Sequence, residues 1–275
     1  MDEVRRCGVL GDPVAHSLSP VLHRAAYAAT GLAWEYDAHR VATGGLAVFL
    51  AGLDPTWRGL SLTMPLKREA VALVDSLSET ARLAGAANTL VLGEGVVEGD
   101  NTDVPGAEAA LAERGVTSVR AATILGGGAT ATSAGLALVN RGAARLTLLV
   151  RDPDRAAATV AALRAHPATP EVGVDALGHG PVSGDVVVST IPAAAQTEDL
   201  VARCAAVPAV FEVVYDPWPT PLAGAARRRG QVLVSGLDLL VHQAAAQFGL
   251  FTGLVAPIAV MREAGERALR DRSGR

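Results

Sequence analysis

The fold of this chain is decided by the stretch Ile124-Leu125-Gly126-Gly127-Gly128-Ala129-Thr130-Ala131. An apolar strand, Ala121 to Leu125, precedes the glycines, and a helix from Ala129 to Arg141 follows them. The next strand, Leu146 to Val150, completes a βαβ unit. Backbone N–H groups and the helix dipole at such a turn can receive a pyrophosphate. The stretch therefore predicts dinucleotide binding, with contacts from Gly126, Gly127, Gly128, Ala129 and Thr130.

Strand patterns on both sides of this unit predict two domains. Further strand candidates after it indicate a doubly wound parallel sheet: Val172 to Val174, Asp185 to Thr190, Ala209 to Val214 and Gln231 to Val234. Before it, short apolar strands alternate with helical patterns, and Gly93, Gly95 and Gly99 bracket a hairpin. The predicted fold class is α/β, with an N-terminal α/β domain over residues 1–103 that is completed by C-terminal helices at about 237–275. A Rossmann domain occupies residues 104–236.

Composition narrows the class of protein. The 275 residues are half apolar and carry a net charge of −4, so no basic stripe for nucleic acid is expected. The cluster Arg227 to Arg229 is interpreted as helix-end charge before Gly230. Cys7 and Cys204 fit no disulfide or metal spacing, which favours a reducing, cytoplasmic setting. The six histidines form no metal-like pair.

Neither end of the chain predicts membrane association. Asp2, Glu3, Arg5 and Arg6 leave no room for the apolar core of a signal peptide. The most apolar stretch, Leu250 to Met261, is too short to span a bilayer, and we expect it to form a packed helix.

The residues after the second Rossmann strand bear on the choice of cofactor. Arg151 and Arg155 favour NADP, because a guanidinium binds phosphate bidentately. Asp152 argues the other way, since a carboxylate repels a 2′-phosphate, and Arg151 could instead pair with Asp154. The prediction is NADP, with NAD possible.

Polar segments stand at strand ends and turns of the first domain, where ligand sites of open α/β sheets form. The first runs from Gly11 to Pro20, where Ser19 is a good N-cap for a helix from Val21 but Ser17 has no such explanation. The others are Ser61-Leu62-Thr63-Met64-Pro65-Leu66-Lys67, Gly85-Ala86-Ala87-Asn88-Thr89 and Asp100-Asn101-Thr102-Asp103. Taken singly, Lys67 is an ordinary solvated residue, Asn88 a turn former and Asp103 a helix cap.

Together these segments closely resemble the shikimate dehydrogenase family, in order and approximate spacing. The resemblance covers nearly the whole chain and rests on seven motifs: His-Ser-Leu-Ser-Pro, Thr-x-Pro-x-Lys, Ala-Asn-Thr, Asn-Thr-Asp, the glycine turn, Tyr215-Asp216-Pro217 with Thr220-Pro221-Leu222, and Gly236-Leu237 through Gln243. It implies a substrate domain followed by an NADP-binding domain. It also implies reversible, NADP-dependent reduction of 3-dehydroshikimate to shikimate, a step towards chorismate and the aromatic amino acids.

The resemblance also implies roles for residues. Ser17 and Ser19 would bind the substrate carboxylate with Tyr215 nearby, and the ring hydroxyls would meet Thr63, Lys67, Asn88, Asp103 and Gln243. Lys67 would exchange the proton, paired with Asp103. Thr190, Ile191, Val213 and Gly236 would lie towards the nicotinamide, and Glu79 would be a further cofactor contact. The only implied partners are small molecules, with the chain acting as a monomer or homodimer.

Two departures from the family pattern leave alternatives open. Ser61 replaces the usual asparagine, and the usual Asn-Arg-Thr reads Val150-Arg151-Asp152. An NAD(P)-dependent quinate/shikimate or aminoshikimate dehydrogenase is therefore the alternative enzyme. A protein that senses nucleotide or shikimate without turnover is the non-enzyme alternative.

Overall fold

The structure is a computed structural model that describes residues 4–273. The chain forms two compact units: unit 1 comprises Met1–Thr102 with Leu240–Arg275, and unit 2 comprises Asp103–Leu239. Within the described residues each unit contains one six-stranded sheet with helices. The predicted α/β class with two domains is confirmed. The N-terminal residues Asp2 and Glu3 lie outside the described residues.

Most element bounds lie within a few residues of the predicted ones. The strands are β1 (Arg5–Gly11), β2 (Trp34–Arg40), β3 (Trp57–Leu62), β4 (Ser76–Leu77), β5 (Thr89–Gly93), β6 (Val96–Asp100), β7 (Ala121–Leu125), β8 (Arg145–Val150), β9 (Glu171–Ala176), β10 (Val186–Ser189), β11 (Ala209–Glu212) and β12 (Val232–Ser235). The helices are α1 (Ser19–Thr30), α2 (Leu46–Ala51), α3 (Glu79–Ala84), α4 (Asp103–Glu113), α5 (Ala129–Asn140), α6 (Ala157–Arg164), α7 (Glu198–Arg203), α8 (Pro221–Arg229), α9 (Gly236–Thr252) and α10 (Ile258–Ser273).

The sheet of unit 1 has the strand order β2-β1-β3-β5-β6-β4. β1 pairs in parallel with β2 and β3, whereas β5 is antiparallel to β3 and β6. The turn between β5 and β6 is the predicted hairpin, and Glu94 and Gly95 have φ angles of 50° and 78°. Positive φ at both central residues is what a tight two-residue hairpin requires. The carboxyl ends of β1, β3 and β6 and the start of β5 therefore lie at one edge of this sheet.

In unit 2 every neighbouring pair of strands is parallel, in the order β12-β11-β10-β7-β8-β9. This is the doubly wound order 3-2-1-4-5-6 read from the other side, which confirms the predicted Rossmann sheet. The strand sequence reverses between β7 and β10. Ligands of such sheets bind at that switch point, outside the carboxyl ends of the strands.

Buried apolar side chains support the sheet of each unit. Leu10, Leu60 and Leu90 from the strands of unit 1 are fully buried, and α1 packs against α10. In unit 2 the strand residues Val187 and Val210 are fully buried in the corresponding cluster. Each such side chain contributes roughly 1.5–3 kcal/mol of burial free energy.

The start of α1 differs from the prediction. The helix begins at Ser19, so the N-cap residue is Leu18, and the interpretation of Ser19 as the cap is wrong. Ser17 Oγ instead accepts a hydrogen bond from the Ser19 N–H at 3.2 Å. Pro20 fits the first turn because its fixed φ is helical and it has no N–H to satisfy. The helix therefore starts two residues before the predicted Val21.

The apolar stretch Leu250 to Met261 is also different from the prediction, since it is not one packed helix. α9 ends at Thr252, where Gly253 has a φ of 72°, and α10 begins only after Pro257. Proline cannot continue the hydrogen-bond ladder of α9. Leu254 and Val255 of the connection are 45% and 93% exposed. Across residues 4–273, no helix combines the length and the apolarity needed to cross a membrane.

One ion pair fixes the start of α9 in unit 2. Asp238 is 1% exposed and accepts from Arg114 Nε at 3.1 Å and Nη2 at 2.8 Å. It also forms a capping box with Ser235: the Ser235 N–H donates to Asp238 Oδ2 at 2.9 Å, and the Asp238 N–H donates to Ser235 Oγ at 3.2 Å. Burial raises the pKa of Asp238, but the Arg114 guanidinium and the Ser235 donors outweigh it and leave the pKa below its ordinary value.

We expect Asp238→Asn to lower the free energy of unfolding by about 2 kcal/mol at neutral pH, because the uncharged amide loses its charge-assisted bonds to Arg114. A lowered folded-state pKa stabilises the fold above the ordinary carboxyl pKa, and this contribution is lost as the pH falls through the lowered value. Urea unfolding at neutral and strongly acid pH measures the difference. Glu263→Gln, which removes an exposed pair with Arg267, serves as the control and should change little. This account is contradicted if the difference in unfolding free energy between the wild type and Asp238→Asn stays the same at strongly acid pH.

Candidate active site

The carboxyl edge of the unit 1 sheet gathers most of the predicted substrate residues. Thr63 follows β3, and its N–H donates to the carbonyl of Leu10 in β1 at 2.9 Å. Lys67 is half-buried in the turn after Thr63, and its carbonyl accepts from the Ala87 N–H at 2.8 Å. That bond joins the turn to the residue before Asn88. Parallel pairing of β1 with β3 and antiparallel pairing of β5 therefore bring three distant segments together.

Asn88 is the centre of a buried hydrogen-bond network at this edge. Its side chain is 1% exposed. Oδ1 accepts from the Thr102 N–H at 2.7 Å, while Nδ2 donates to Thr102 Oγ1 at 2.9 Å and to Gln243 Oε1 at 3.3 Å. Thr102 belongs to the predicted polar segment Asp100-Asn101-Thr102-Asp103, and Gln243 lies in α9. The network thus unites Asn88 and Gln243, which are 155 positions apart in the chain.

Ser17 and Ser19 lie where the loop after β1 meets α1. Ser17 is half-buried, whereas Ser19 is 5% exposed. The hydroxyl of Ser19 interacts with the phenol of Tyr36, which is fully buried in β2. Both serines therefore present hydroxyls near the first turn of a helix, where donors for an anion are concentrated.

Tyr36 and Gln247 extend the network, and neither was predicted as a site residue from the sequence. Tyr36 and Ser61 are joined through their hydroxyls at 2.5 Å, and Ser61 Oγ donates to Gln247 Oε1 at 2.8 Å. Gln247 Nε2 donates to the Asn88 carbonyl at 3.2 Å. A continuous chain of hydrogen bonds thus runs from Ser19 to Asn88. The available signal was the i, i+4 spacing of two glutamines in an apolar helix.

His23 packs against this network but cannot serve as its proton donor. Its ring stacks on Tyr36 with centroids 4.2 Å apart. Burial lowers the pKa of His23 to about 3. The imidazole is therefore neutral at physiological pH, and the proton-exchanging group of this edge must be sought elsewhere.

The remaining predicted substrate and catalytic residues belong to unit 2. Asp103 is the first residue of α4 and is 5% exposed. Tyr215 is half-buried in the segment between β11 and α8. Asp103 and Tyr215 therefore belong to unit 2. The other six predicted residues belong to unit 1: Ser17, Ser19, Thr63, Lys67, Asn88 and Gln243.

The glycine turn of unit 2 has the form that a dinucleotide phosphate requires. Gly126 has a φ of 111°, a conformation that L side chains rarely adopt. A Cβ on Gly127 would lie 2.8 Å from the Cβ of Ala156, while a Cβ on Gly128 would meet nothing within 4 Å. Gly128 is the N-cap of α5, so the open space adjoins first-turn N–H groups that have no acceptor within the helix. Ala129 and Thr130 begin that helix.

Two buried hydroxyls hold the glycine turn, and both were missed from the sequence. Thr159 Oγ1 donates to the Gly127 carbonyl at 2.7 Å and lies 2.7 Å from Thr132 Oγ1. Thr132 Oγ1 also donates to the Gly128 carbonyl at 3.3 Å. Such residues are hard to find from sequence because a threonine in an alanine-rich helix resembles any other small residue.

The other predicted cofactor residues of unit 2 lie at the same carboxyl edge. Thr190 Oγ1 donates to the carbonyl of Leu125, which ends β7, at 2.9 Å. The Val213 N–H donates to the Ser189 carbonyl at 3.0 Å. A Cβ on Gly236 would lie 2.0 Å from the Val213 carbonyl oxygen, so only glycine fits there. Ile191 is 8% exposed beside Thr190.

Three predicted cofactor contacts lie apart from these. Arg151 and Arg155 are exposed in the segment after β8, close in sequence to the turn that contacts Gly127. Both guanidinium groups are accessible to an anion. Glu79, by contrast, belongs to unit 1, where it is exposed in the first turn of α3.

Comparison with known proteins identifies the family. Residues 9–90 match the model of the shikimate dehydrogenase substrate binding domain, and residues 236–264 match that of the shikimate 5′-dehydrogenase C-terminal domain. The shikimate dehydrogenase (NADP(+)) of Moorella thermoacetica is 36% identical over 278 residues, which cover 97% of this chain and 92% of the relative. This chain belongs to the shikimate dehydrogenase family.

Solved structures of similar proteins share the fold over the full length. The crystal structure of Mycobacterium tuberculosis shikimate dehydrogenase has a TM-score of 0.88 and 38% identity, and the match covers 96% of this chain and 99% of that chain. The quinate dehydrogenase from Corynebacterium glutamicum in complex with NAD has a TM-score of 0.86 and 28% identity, with 96% and 100% coverage. The predicted resemblance to the shikimate dehydrogenase family is confirmed.

The described part of this shikimate dehydrogenase family member contains neither a metal-like cluster nor an ionised thiol. Among residues 4–273, no three His, Cys, Asp or Glu side chains are grouped so that they could hold a metal ion. Cys7 and Cys204 are both free and buried. Burial raises the pKa of each thiol to about 11, so both stay protonated at neutral pH.

The glycine turn allows a test that separates folding from phosphate binding. We expect Gly127→Ala to destabilise the protein by about 1–3 kcal/mol, because the added methyl would overlap Ala156. Gly128→Ala should leave stability almost unchanged but weaken NADP+ binding roughly tenfold, since its methyl would fill the open space beside α5. Thermal unfolding and titration with NADP+ measure the two effects. This role for the turn is contradicted if Gly128→Ala is less stable than Gly127→Ala, or if Gly128→Ala binds NADP+ as tightly as the wild type.

Proposed function

We propose that this chain is an NADP-dependent shikimate dehydrogenase that interconverts 3-dehydroshikimate and shikimate. The proposal is supported by family membership over the full length, by the NADP named for the Moorella thermoacetica relative, and by a glycine turn that has room for a pyrophosphate. The network around Asn88 adds a polar edge suited to a substrate with several hydroxyls.

The observation that carries the proposal is the position of the only lysine. The chain has 24 lysine and arginine residues, and Lys67 is the single lysine among them. A guanidinium keeps its proton at any physiological pH, whereas an ammonium can release one. The only ammonium side chain in the sequence therefore belongs to the turn whose backbone bonds the residue before Asn88.

Lys67 is the proposed proton donor for carbonyl reduction. Bound NADPH supplies a hydride to the carbonyl carbon, and the oxygen then needs a proton to become a hydroxyl. The ammonium of Lys67 stabilises the developing negative charge and donates that proton. In the oxidation of shikimate the neutral amine takes the proton back. Asp103 as the carboxylate that keeps Lys67 charged and aimed remains a prediction.

The proposed binding roles follow the placement of each side chain in its own unit. Ser17 and Ser19 donate to the substrate carboxylate, with Tyr215 as a further predicted contact. Thr63, Asn88 and Gln243 meet ring hydroxyls. Amide and hydroxyl groups of this kind can both donate and accept, which suits a hydroxyl-bearing ring.

Replacement of Lys67 tests the proposed chemistry. Lys67→Ala should lower kcat by roughly 10²–10⁴-fold, the range of a lost general acid, while the Kd for shikimate changes only a few-fold. Lys67→Arg should bind shikimate and show the same loss of kcat, because it retains the charge but not the exchangeable proton. Oxidation of shikimate with NADP+, followed as NADPH absorbance, measures both variants.

The neighbouring cation provides the matched control. Arg68→Ala removes an exposed positive charge one residue away and should keep kcat near the wild-type value. Because the chain has one lysine, isotopic labelling of lysine also gives a single side-chain signal, whose pH titration can be compared with the pH dependence of kcat. Wild-type kcat in Lys67→Ala, or full recovery by Lys67→Arg, removes Lys67 as the proton donor.

A quinate or quinate/shikimate dehydrogenase is the second candidate function, with aminoshikimate as a further substrate. It is favoured by the similarity to the Corynebacterium glutamicum quinate dehydrogenase and by Asp152 after β8.

We expect kcat/KM for shikimate to exceed that for quinate, and NADP+ to be preferred over NAD+. Arg151→Ser should lower kcat/KM for NADP+ about tenfold and leave NAD+ unaffected. Arg145→Ser, on the exposed face of β8, is the control. A preference for quinate with NAD+ selects the second function.

A sensing protein without turnover is the remaining alternative, and absence of NADPH absorbance change in both directions and with both cofactors would support it. We further propose that the protein is cytoplasmic, which its two free buried thiols support, and that it is a monomer or a homodimer.

A further inference from the structure

Unit 2 contains a buried carboxylate that the proposed reaction does not use. Glu212 ends β11 and is 0% exposed. In the sheet it lies between Ser189 of β10 and Ser235 of β12. Its side chain therefore stands at the carboxyl edge that also carries the predicted cofactor contacts.

Every bonded partner of Glu212 is a neutral donor. Oε2 accepts from Gln196 Nε2 at 2.6 Å and from Thr220 Oγ1 at 2.8 Å, and Oε1 accepts from the Val214 N–H at 3.1 Å. The Ser189 hydroxyl is a further hydrogen-bonding neighbour. Donors on all sides match an ionised carboxylate, which only accepts. Burial nevertheless raises the pKa of Glu212 above its ordinary value.

These bonds tie together the segment after β10, the segment after β11 and the start of α8. Gln196, bonded to Glu212, accepts the Leu222 N–H at 2.9 Å through its Oε1. Thr220 is the N-cap of α8 and accepts the Ala223 N–H at 3.2 Å. One carboxylate thus determines where three separate pieces of backbone lie.

The hydrogen bond from the Val214 N–H to Glu212 Oε1 has the most direct consequence for the site. It fixes the backbone between Val213 and Tyr215, which carry a predicted cofactor and a predicted substrate contact. This backbone packs closely against Gly236, since a Cβ on Gly236 would lie 2.0 Å from the Val213 carbonyl oxygen. A small shift of the Val213 backbone would therefore change its contact with the start of α9. Burying a carboxylate without a cation among these partners is costly, so a neutral side chain would be cheaper if stability alone mattered.

We infer that Glu212 is a positioning residue, which holds the Val213–Tyr215 backbone and the Thr190–Gln196 segment at the nicotinamide end of the cofactor site. The inference rests on the proposed function for its site and adds a residue to it. Glu212 acts through the backbone of its neighbours and does not itself exchange a proton.

Two ligands separate positioning from general stability. Adenosine 2′,5′-bisphosphate carries the adenine half of NADP and probes the glycine turn with the Arg151 segment. NADP+ also probes the nicotinamide end. We expect Glu212→Gln to raise the Kd for NADP+ about tenfold and to lower kcat about tenfold or more, with the Kd for adenosine 2′,5′-bisphosphate unchanged. Glu212→Asp, which keeps the charge, should recover part of both losses. Calorimetric titration and the shikimate oxidation assay measure them.

Thr123→Val is the matched control for stability. Thr123 is fully buried in β7 of the same sheet and bonds Ser183, with no bond to the Glu212 network. It should lower the unfolding temperature and leave both Kd values and kcat unchanged. If Glu212→Gln does not fold, Gln196→Ala, which removes one donor, should show the same pattern at smaller amplitude.

Three outcomes overturn the inference: equal weakening of both ligands, wild-type binding and kcat in Glu212→Gln, or a changed unfolding temperature as the sole effect. Failure of the proposed function has a different signature. Wild-type protein would then turn over neither shikimate nor quinate, while the two ligand titrations would still report on Glu212.

Discussion

Parallel pairing of neighbouring strands is the constraint on which the rest of this structure depends. Because the strands of such a pair run in the same direction, every loop that follows them emerges at one edge. In unit 1 this places Thr63 after β3 beside the loop after β1, and the antiparallel β5 then brings Asn88 to the same edge. In unit 2 it places Thr190, Val213 and the glycine turn together. The backbone ladder thus brings these strand ends together, and the side-chain bonds from α9 add Gln243 and Gln247 to the unit 1 edge.

The two edges are finished with different chemistry. In unit 1 the network from Ser19 through Tyr36 and Gln247 to Asn88 consists of hydroxyls and amides. Its neutrality is reinforced by His23, which burial keeps uncharged. Hydroxyls and amides of this kind can bind an anion through hydrogen bonds, without a buried charge of their own. The carboxyl edge of unit 2 contains Glu212 instead, a buried carboxyl group whose bonded partners are all neutral donors. The first network is suited to bind a ligand, whereas the second holds backbone.

Features that depend on local chemistry could be predicted from the sequence. β7 was predicted to the residue because an apolar run ends abruptly at Gly126, and α8 ends before Gly230 as its arginines indicate. The start of α1 was misplaced because Ser19 is already helical: Ser17, two residues upstream, accepts the Ser19 N–H, and Leu18 is the N-cap residue. The apolar stretch after Leu250 was misread because composition hides a break at Gly253 and Pro257. The link between Ser61 and Gln247 joins residues 186 positions apart, and no local pattern encodes it.

The basic residues show how composition and fold together assign chemistry. Arginine serves this chain wherever a fixed fork is useful: Arg114 holds Asp238 with two nitrogens, and Arg141 bonds the carbonyls of Glu108 and Thr117. These bonds need directed donors that never lose their protons, which the guanidinium supplies. A carbonyl reduction needs the opposite property at one point, a cation whose proton can leave and return. Of the 24 lysine and arginine residues, only residue 67 is a lysine. Arginine at residue 67 would provide the same charge, so the proposed proton exchange gives a reason for lysine there that charge alone does not.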